Sequence, residues 1–438
     1  MHFPDSVKNI IKQLEAAGFE AYAVGGCVRD SLLSFTPPDY DIATSAAPDE
    51  IKEVFSDCKI VDIGAKHGTI AVITDDENCR KIEITTFRAD GEYSDSRRPD
   101  SVTFVRDLKS DLARRDFTVN AMAYSEKTGL IDLFGGAEDL KNKLLKCVGE
   151  PEKRFSEDAL RIMRALRFMS EHGFTCEAET EKALRKLKEN LLKIAPERIM
   201  AELDKLLLGE FAEKIIIEYV DVLGVFIPEI KDCAGFDQRN NYHIYDVLTH
   251  IAKVVSAVPK ERILRVAALF HDVAKPQCFI LKDNLGHTRG HAAKSAEIAE
   301  ETMRKLRYDN AAIKQVKLLI QNHDDKFKTD DVSVKKLLNR FGIETLEQLC
   351  ILQKADDSAK ADFVKEERKE QYLFIEKASE IIEKGECFSL EQLAVNGNDL
   401  LKSGFEGKEI GIQLQKLLEA VITGEAENKK EILLKRIG

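Results

Sequence analysis

Strand-like segments are confined to the first third of this chain. They are short runs of β-branched and other apolar residues bounded by glycine or proline, and they lie at residues 20–24, 69–73, 81–87 and 102–105. Beyond about Glu150 these runs almost vanish, and apolar residues recur at spacings of three and four. Such helical stretches include residues 156–172, 177–190 and 196–208. The pattern predicts the α+β class, with a mixed sheet in an N-terminal domain and an all-helical remainder.

Length, charge and cysteine usage narrow the class of protein. The 438 residues correspond to about three domains at roughly 150 residues each. No apolar run approaches the roughly 18 residues of a membrane span, and the N-terminus is not a signal peptide, so no membrane association is expected. Nine scattered cysteines form no CxxC pair, which favours a reducing cytoplasm over a disulfide framework. A net charge of −11 disfavours nonspecific coating of nucleic acid.

A glycine turn follows the first strand-like run. Gly25 and Gly26 stand between that run and a predicted helix starting near Val28, and Arg29 adds a cation. Backbone amides at such a turn can bind phosphate oxygens, assisted by the helix dipole. A purely structural turn explains the same residues equally well.

Two aspartates follow at a spacing of two. On a strand, Asp39 and Asp41 would point to the same face and present two carboxylates side by side. Like charges so close repel unless a cation lies between them, and Mg²⁺ binds carboxylates together with phosphate oxygens. An isolated pair of this kind is more often a solvated loop, but the preceding glycine turn favours a metal site.

Glu83 is the candidate for a third carboxylate. It stands between two isoleucines in the strand-like run 81–87. An acidic residue in that position faces either a cleft or the solvent, and the alternation of the strand allows both.

These motifs together resemble the class II tRNA nucleotidyltransferases, which include the CCA-adding enzymes and the related bacterial poly(A) polymerases. The matching segments are Gly25-Gly26-x-x-Arg29-Asp30, Asp39-x-Asp41, Arg114-Arg115-Asp116-Phe117-Thr118-x-Asn120-Ala121, residues 132–136, residues 157–168 and Pro196-Glu197-Arg198-Ile199. They run in order over about the first 210 residues.

The resemblance implies a polymerase-beta-like head at 1–145, a helical neck at 146–210, a helical body at 211–365 and a tRNA-binding tail at 366–438. It implies Mg²⁺ as cofactor, CTP and ATP as substrates, and the tRNA 3′ end as acceptor. The catalytic carboxylates would be Asp39, Asp41 and Glu83. The nucleotide-binding residues would be Gly25, Gly26, Arg29, Arg114, Arg115, Asp116, Asn120, Asp158, Arg161 and Arg164.

Asp158 and Arg161 are the implied base-reading pair. Residues 157–168 are expected to form one helix, and the two side chains then share a face, because they are three positions apart. Asp accepts hydrogen bonds and Arg donates them, which suits the amine and ring nitrogen that C and A both present. An ordinary surface ion pair is the alternative.

The arginine pair Arg114 and Arg115 precedes a helix expected to begin near Phe117. Two adjacent arginines suit a triphosphate and ribose. Arg164 is also expected near phosphate, whereas Arg167 either does the same or is solvated. The polar segment 90–100 occupies the place of the family's flexible loop, which favours complete CCA addition.

A second motif lies in the helical half. The sequence LFHDVAKP contains His271 and Asp272 and resembles the HD superfamily of metal-dependent phosphohydrolases. His and Asp are suitable ligands for Mn²⁺, Ni²⁺ or Mg²⁺. The expected ligands are His250, His271, Asp272 and Asp356 for one ion, and His291 and His323 for a second.

Three alternatives to CCA addition remain at this point. A poly(A) polymerase shares the fold but is usually more basic. A partial enzyme would add only A or only CC. An HD phosphohydrolase with an RNA-binding head would require an inactive head, yet each head motif is complete.

Overall fold

The computed structural model describes residues 1, 3–64, 68–77, 79–90 and 102–437. They form two compact units, Met1–Phe226 and Ile227–Gly438. The predicted α+β class is confirmed, whereas the four-part division stays a prediction. Within the described residues, no helix is long and apolar enough to span a membrane. All nine cysteines are free thiols.

The first unit is built on a mixed sheet. In the described part of the chain this sheet has seven strands in the order β3-β4-β5-β2-β1-β8-β9, and β6 and β7 form a separate pair. The strands are β1 (Ala21–Val24), β2 (Asp41–Thr44), β3 (Lys59–Gly64), β4 (Thr69–Ile73), β5 (Lys81–Thr86), β6 (Arg88–Asp90), β7 (Val102–Phe104), β8 (Met122–Ser125) and β9 (Gly129–Asp132). Within the sheet, β2 and β5 are parallel and the other neighbours antiparallel.

Helices cover this sheet and continue beyond it in the first unit. They are α1 (Asp5–Ala16), α2 (Gly26–Leu32), α3 (Pro48–Val54), α4 (Leu108–Ala113), α5 (Gly136–Lys141), α6 (Pro151–Glu157), α7 (Leu160–His172), α8 (Ala178–Leu187), α9 (Pro196–Leu208), α10 (Ala212–Glu218) and α11 (Val220–Leu223). A buried cluster packs α4 on the sheet; it consists of Tyr22, Val24, Ala43, Phe87, Leu108, Leu112 and Ala123. Apolar packing of this kind fixes the strand ends that carry the polar site residues.

The second unit is mainly helical. Its helices are α12 (Val247–Ala257), α13 (Arg262–Phe270), α14 (His291–Lys305), α15 (Asn310–Asn322), α16 (Asp331–Ser358), α17 (Asp362–Arg368), α18 (Leu373–Glu383), α19 (Gly397–Lys402), α20 (Lys408–Ile422) and α21 (Lys430–Lys435). Helix α16 is kinked at Gly342, which has a positive φ of 72°. A separate buried cluster holds α20 and α21 together, and it includes Leu417, Leu418 and Leu433.

Three local predictions are wrong. The part beyond Glu150 is not wholly helical, because β11 (Thr175–Cys176) pairs with β10 (Leu144–Leu145), and β12 (Ile280–Lys282) forms a hairpin with β13 (Leu285–His287). Phe117 does not begin an α-helix: a single 3-10 turn, Thr118–Asn120, leads into β8. Residues 156–172 are not one helix, because extended backbone at Asp158 separates α6 from α7.

Candidate active site and candidate metal centre

A cavity of about 900 Å³ opens in the first unit and is lined by every residue predicted for the head site. These residues are Gly25, Gly26, Arg29, Asp39, Asp41, Glu83, Arg114, Arg115, Asp116, Asn120, Asp158, Arg161 and Arg164. They come from separate strands, helices and turns, so the fold collects polar groups that lie far apart in sequence. A cavity of this size accommodates a small-molecule ligand.

The carboxylates lie at neighbouring strand ends. Asp41 is the first residue of β2 and is in register with Glu83 on the parallel strand β5. In-register residues on neighbouring strands project to the same face of a sheet, so Glu83 belongs beside Asp41. Asp39 lies in the bend before β2, and the prediction that both aspartates are strand residues is wrong. The bend still places Asp39 on the cavity wall.

Burial and, after it, like charge oppose ionisation in this carboxylate group. Protein packed around the cavity, together with the charge of Asp39, raises the pKa of Asp41 to about 6, although the side chain is exposed to the cavity. Glu83 pairs with Lys81, whose Nζ lies 2.7 Å from its Oε1. A metal site needs at least three ligand atoms close together. Among the described residues, sets of three or more such atoms within 4.8 Å of one another occur in the second unit, and the three head carboxylates do not form such a set. Mutually repelling carboxylates fit a divalent cation.

Gly25 allows a close approach between the turn and Arg115. Its φ is 72°, a conformation that side chains disfavour, and a Cβ at this position would lie 2.8 Å from Nη1 of Arg115. Gly25 precedes α2, which starts at Gly26 rather than near Val28. The turn therefore brings backbone to the cavity wall next to a guanidinium.

Asp111 holds both adjacent arginines, and the sequence interpretation missed it. This fully buried carboxylate accepts hydrogen bonds from Arg114 at 2.9 and 3.0 Å and from Nη2 of Arg115 at 3.2 Å. Burial would raise the pKa of Asp111, but the two guanidiniums lower it. The spacing DLARR, with an acid three and four positions before the arginines on α4, was the available signal.

Asp116 and Asn120 connect two further arginines. Arg164 donates to Oδ2 of Asp116 at 2.8 Å, and Asn120 donates to Oδ1 at 3.1 Å. Arg29 in turn donates to the amide oxygen of Asn120 at 2.8 Å. Burial opposes ionisation of Asp116, but Arg164 and Asn120 hold its pKa well below the usual range. The chain of contacts fixes Arg29 and Arg164 in position.

Phe168 provides an aromatic surface for three cations. The guanidinium carbons of Arg29, Arg164 and Arg167 lie 5.0, 5.3 and 4.2 Å from its ring centroid. Arg167 is buried and contacts Glu202, so it is not simply solvated. Stacking of this kind favours the charged arginines and restricts their orientations.

Asp158 and Arg161 do not share a helix face. Asp158 caps α6 in an extended conformation, and its Oδ1 accepts from the backbone N–H of Leu160. Its Oδ2 accepts from Arg198 at 2.9 Å. Arg161 instead donates to Glu157 and to the backbone carbonyl of Arg114. Both side chains still line the cavity.

Further cavity residues were not assigned from the sequence. They are Arg88, Arg167, Phe168, Glu171, His172, Arg198 and Lys205. Arg198 lies in the recognised Pro196-Glu197-Arg198-Ile199 segment, whereas no local pattern marks Arg88 or Lys205. Burial and the charges of Arg29 and Arg167 lower the pKa of His172 to about 4, so this ring is neutral at pH 7.

The second unit brings all six predicted HD ligands together. One group consists of His250, His271, Asp272 and Asp356, and another of Asp272, His291 and His323. Oδ2 of Asp272 lies 3.2 Å from Nε2 of both His250 and His271, and its Oδ1 lies 3.2 Å from Nε2 of His291. Asp272 therefore connects two adjoining ligand groups.

Backbone carbonyls fix the histidine tautomers. Nδ1 of His271, His291 and His323 faces a backbone carbonyl at 2.7, 2.9 and 2.7 Å. A carbonyl only accepts, so each neutral ring protonates Nδ1 and turns the Nε2 lone pair inward. Nε2 atoms of His271 and His250 lie 3.3 Å apart. Oδ1 of buried Asp272 has no hydrogen-bond donor, whereas its Oδ2 lies 2.6 Å from Nζ of Lys275. Converging lone pairs and an unpartnered carboxylate oxygen fit divalent metal ions.

A second cavity, of about 970 Å³, opens onto this centre. Its lining includes the ligands Asp272, His291, His323 and Asp356 together with several cations. The cations are Lys275, Arg289, Lys326, Lys360 and Arg368. The lining also includes the acidic residues Asp324, Asp325 and Glu367, so both signs of charge surround the ligand groups.

This chain is similar to known proteins in both its N-terminal and its C-terminal half. Residues 21–146 match the family described as 'Poly A polymerase head domain'. Residues 173–233 match the one described as 'Probable RNA and SrmB- binding site of polymerase A', and residues 291–437 the one described as 'tRNA nucleotidyltransferase domain 2 putative'. A CCA-adding enzyme of Leuconostoc mesenteroides is 35% identical over 97% of this chain and 94% of the relative. One from a Geobacillus species is 36% identical over 96% and 93%.

Solved structures show the same similarity. The Bacillus stearothermophilus CCA-adding enzyme in complex with CTP aligns with a TM-score of 0.74 and 30% identity, covering 100% of this chain and 97% of that one. The Thermotoga maritima CCA-adding enzyme complexed with tRNA shares the fold, with a TM-score of 0.57 and 22% identity over 99% and 94% of the two chains.

Proposed function

The chain belongs to the family of CCA-adding enzymes, and from this we propose that it adds C, C and A to the 3′ end of tRNA, using CTP and ATP without a nucleic-acid template. The observation that supports the proposal is the cavity of about 900 Å³ in the first unit. It combines three carboxylates, a set of arginines and the base-reading candidates Asp158 and Arg161. Action on tRNA is in keeping with a cytoplasmic location.

The reaction joins the acceptor to the nucleotide. The 3′ oxygen of tRNA forms a bond to the α-phosphorus, the bond from that phosphorus to the bridging oxygen breaks, pyrophosphate leaves, and the hydroxyl proton passes to solvent. Asp39, Asp41 and Glu83 are the residues that would hold Mg²⁺, and the bound ion would activate the hydroxyl and stabilise the leaving group. The residues of the chain supply binding and orientation.

Arginines bind and orient the triphosphate. Arg114 and Arg115 are held by Asp111, and Arg29 and Arg164 are held through Asn120 and Asp116. Guanidiniums fixed in this way meet phosphate oxygens with little loss of side-chain entropy. The glycine turn at Gly25 and Gly26 adds backbone to the same wall.

Asp158 and Arg161 select the base. Asp158 accepts from the exocyclic amine that C and A share, and Arg161 donates to the ring nitrogen beside it. The opposite donor and acceptor order excludes U and G. Because Arg198 holds Asp158, selection depends on α9 as well as on the segment between α6 and α7.

Nucleotide incorporation tests this function. Purified protein is incubated with tRNA lacking CCA, tRNA lacking only A, or intact tRNA, and with labelled CTP or ATP. CCA addition requires CTP only on the shortest acceptor and stops after one A. Continued A addition on mixed RNA identifies a poly(A) polymerase, and addition of only CC or only A identifies a partial enzyme. The loop segment 91–100, expected to serve A addition, lies outside the described residues.

Two variants test the site assignment. Asp39→Ala and Asp41→Ala each abolish transfer while tRNA binding persists. Lys182→Ala, an exposed change on α8, serves as the matched control. Near-normal transfer in either aspartate variant contradicts the metal role.

We also propose that the second unit binds two divalent ions, with Mn²⁺ or Ni²⁺ as the candidates, and hydrolyses phosphoesters such as 2′,3′-cyclic phosphates. The supporting observation is the set of inward Nε2 atoms around Asp272. Phosphodiesterase and phosphatase assays with Mn²⁺, Ni²⁺ and Mg²⁺ test it. His271→Ala abolishes the activity and Asp41→Ala retains it; no hydrolysis with any of the three ions rules the activity out.

A further inference from the structure

A smaller cavity of the first unit adjoins the head carboxylates. It has a volume of about 450 Å³ and shares Asp39, Asp41 and Glu83 with the large cavity. Its other lining includes Arg80 and Lys81, which the large cavity lacks. The three carboxylates therefore face two cavities of different composition.

Two substrates must meet at these carboxylates. In phosphoryl transfer the attacking and leaving oxygens are roughly in line through the phosphorus, so the acceptor and the pyrophosphate approach from different sides. The large cavity holds the arginines and the base-reading residues and therefore suits the nucleotide. The smaller cavity remains for the acceptor hydroxyl.

The segment that carries the two cations is held in place by the fold. The backbone N–H of Thr74 donates to the carbonyl of Arg80 at 2.9 Å, and that of Cys79 donates to Asp76 at 3.0 Å. Cys79 is buried, and Lys81 is the first residue of β5. Because the backbone is fixed, the exposed side chains of Arg80 and Lys81 extend from defined positions at the cavity.

The last base of the acceptor is not the same at every addition, because a C stands there only after the first nucleotide has been added. A site that accepts each of these ends cannot depend on base contacts, whereas phosphate contacts carry no sequence information. Arginine and lysine bind phosphate without reading the base. The two cations thus have the chemistry that a growing 3′ end requires.

We propose that Arg80 and Lys81 bind the backbone phosphates of the single-stranded tRNA 3′ end and hold its terminal hydroxyl at Asp39, Asp41 and Glu83. This inference rests on the proposed CCA addition. In the structure Nζ of Lys81 lies 2.7 Å from Glu83, so a role limited to holding Glu83 is the competing explanation.

Steady-state kinetics with tRNA lacking CCA separates the two roles. Arg80→Ala and Lys81→Ala each raise KM for tRNA about tenfold, as expected for one charged hydrogen bond, with KM for CTP and the Mg²⁺ requirement little changed. The slope of log KM for tRNA against log salt falls by about 0.7 for each cation removed. Lys81→Arg retains most of the wild-type behaviour. Lys59→Ala, exposed on β3 of the same sheet, is the control and changes none of these values.

Three outcomes overturn the inference. An unchanged tRNA KM and salt slope in both alanine variants excludes phosphate binding. A lower kcat with a higher Mg²⁺ requirement, at unchanged tRNA KM, assigns Lys81 to holding Glu83. If the wild-type protein adds nothing to any tRNA, the proposed function fails and this inference falls with it; if the wild type is active and the variants match Lys59→Ala, only this inference fails.

Discussion

Arg198 donates to Oδ2 of Asp158 at 2.9 Å and links α9 to the break between α6 and α7. Asp158 is thus oriented by a residue forty positions away in sequence as well as by the backbone N–H of Leu160. A carboxylate whose two oxygens are both held keeps a defined direction for its lone pairs, which base selection requires.

Arg198→Ala is expected to weaken base selection. Loss of the guanidinium frees Asp158 to rotate, so discrimination against UTP and GTP falls about tenfold, the equivalent of roughly 1.4 kcal/mol. The ratio of kcat/KM for CTP to that for UTP measures it. Lys182→Ala on α8 is the control, and an unchanged ratio in Arg198→Ala contradicts the positioning role.

Asp111→Asn is expected to impair nucleotide binding and stability together. The buried carboxylate holds Arg114 and Arg115, and removing one partner of a buried ion pair costs about 3 kcal/mol. We expect a lower free energy of unfolding by urea and a higher KM for both CTP and ATP. Asp111→Glu should bring KM part of the way back to the wild-type value, with a free energy of unfolding similar to that of Asp111→Asn. A stability loss with normal KM would limit Asp111 to a structural role.

Asp41→Asn is expected to stabilise the protein in the presence of EDTA. Burial and Asp39 raise the pKa of Asp41 to about 6, so the folded state binds the proton more tightly than the unfolded state. The favourable contribution of Asp41 to the free energy of unfolding is complete below about pH 4, and it is lost as the pH rises through 6. At pH 7.5 the variant should therefore melt at a higher temperature than the wild type, and the difference should vanish near pH 4. A lower melting temperature of Asp41→Asn at pH 7.5 would contradict the conclusion that the site disfavours the charged carboxylate.

Asp116 is expected to give the opposite pH dependence. Burial opposes its ionisation, but Arg164 and Asn120 hold the pKa below the usual value near 4. Its stabilising contribution is therefore present above about pH 4 and is lost as the pH falls through the lowered pKa. The stability difference between wild type and Asp116→Asn in urea should be largest near neutral pH and shrink toward pH 3. A pH-independent difference would exclude this ion pair as its source.

Metal content distinguishes the two ligand groups of the second unit. After dialysis against Mn²⁺, elemental analysis should find two ions per chain, one for each group. His291→Ala should lose the ion of the second group and keep that of the first, because His250, His271 and Asp356 remain. Asp39→Ala combined with Asp41→Ala should leave both ions of the second unit in place. If His291→Ala lost Mn²⁺ equally from both ligand groups, the two groups would form a single coupled site.

Local residue types and spacings were sufficient for much of the head. Apolar runs and glycine turns predicted β1, β4, β5 and β7, and the paired aspartates predicted a carboxylate site, because these signals reside within a few residues. Strands β3, β6, β8 and β9 and the hairpin of β12 and β13 were not predicted. The propensity of a short segment for strand is weak, and its formation depends on the strand against which it packs.

The sequence by itself determined the fold class and identified the candidate carboxylates Asp39, Asp41 and Glu83 and the candidate histidine and aspartate set of the second unit. Only the tertiary structure decided that Asp111 holds Arg114 and Arg115, that Arg198 rather than Arg161 holds Asp158, and that Arg80 and Lys81 share a cavity with the carboxylates. Residue type and short-range spacing fix secondary structure and candidate chemistry. The direction of a side chain and its distant partners depend on how strands and helices pack, and the break at Asp158 shows how one extended residue redirects a pair that a continuous helix would have aligned.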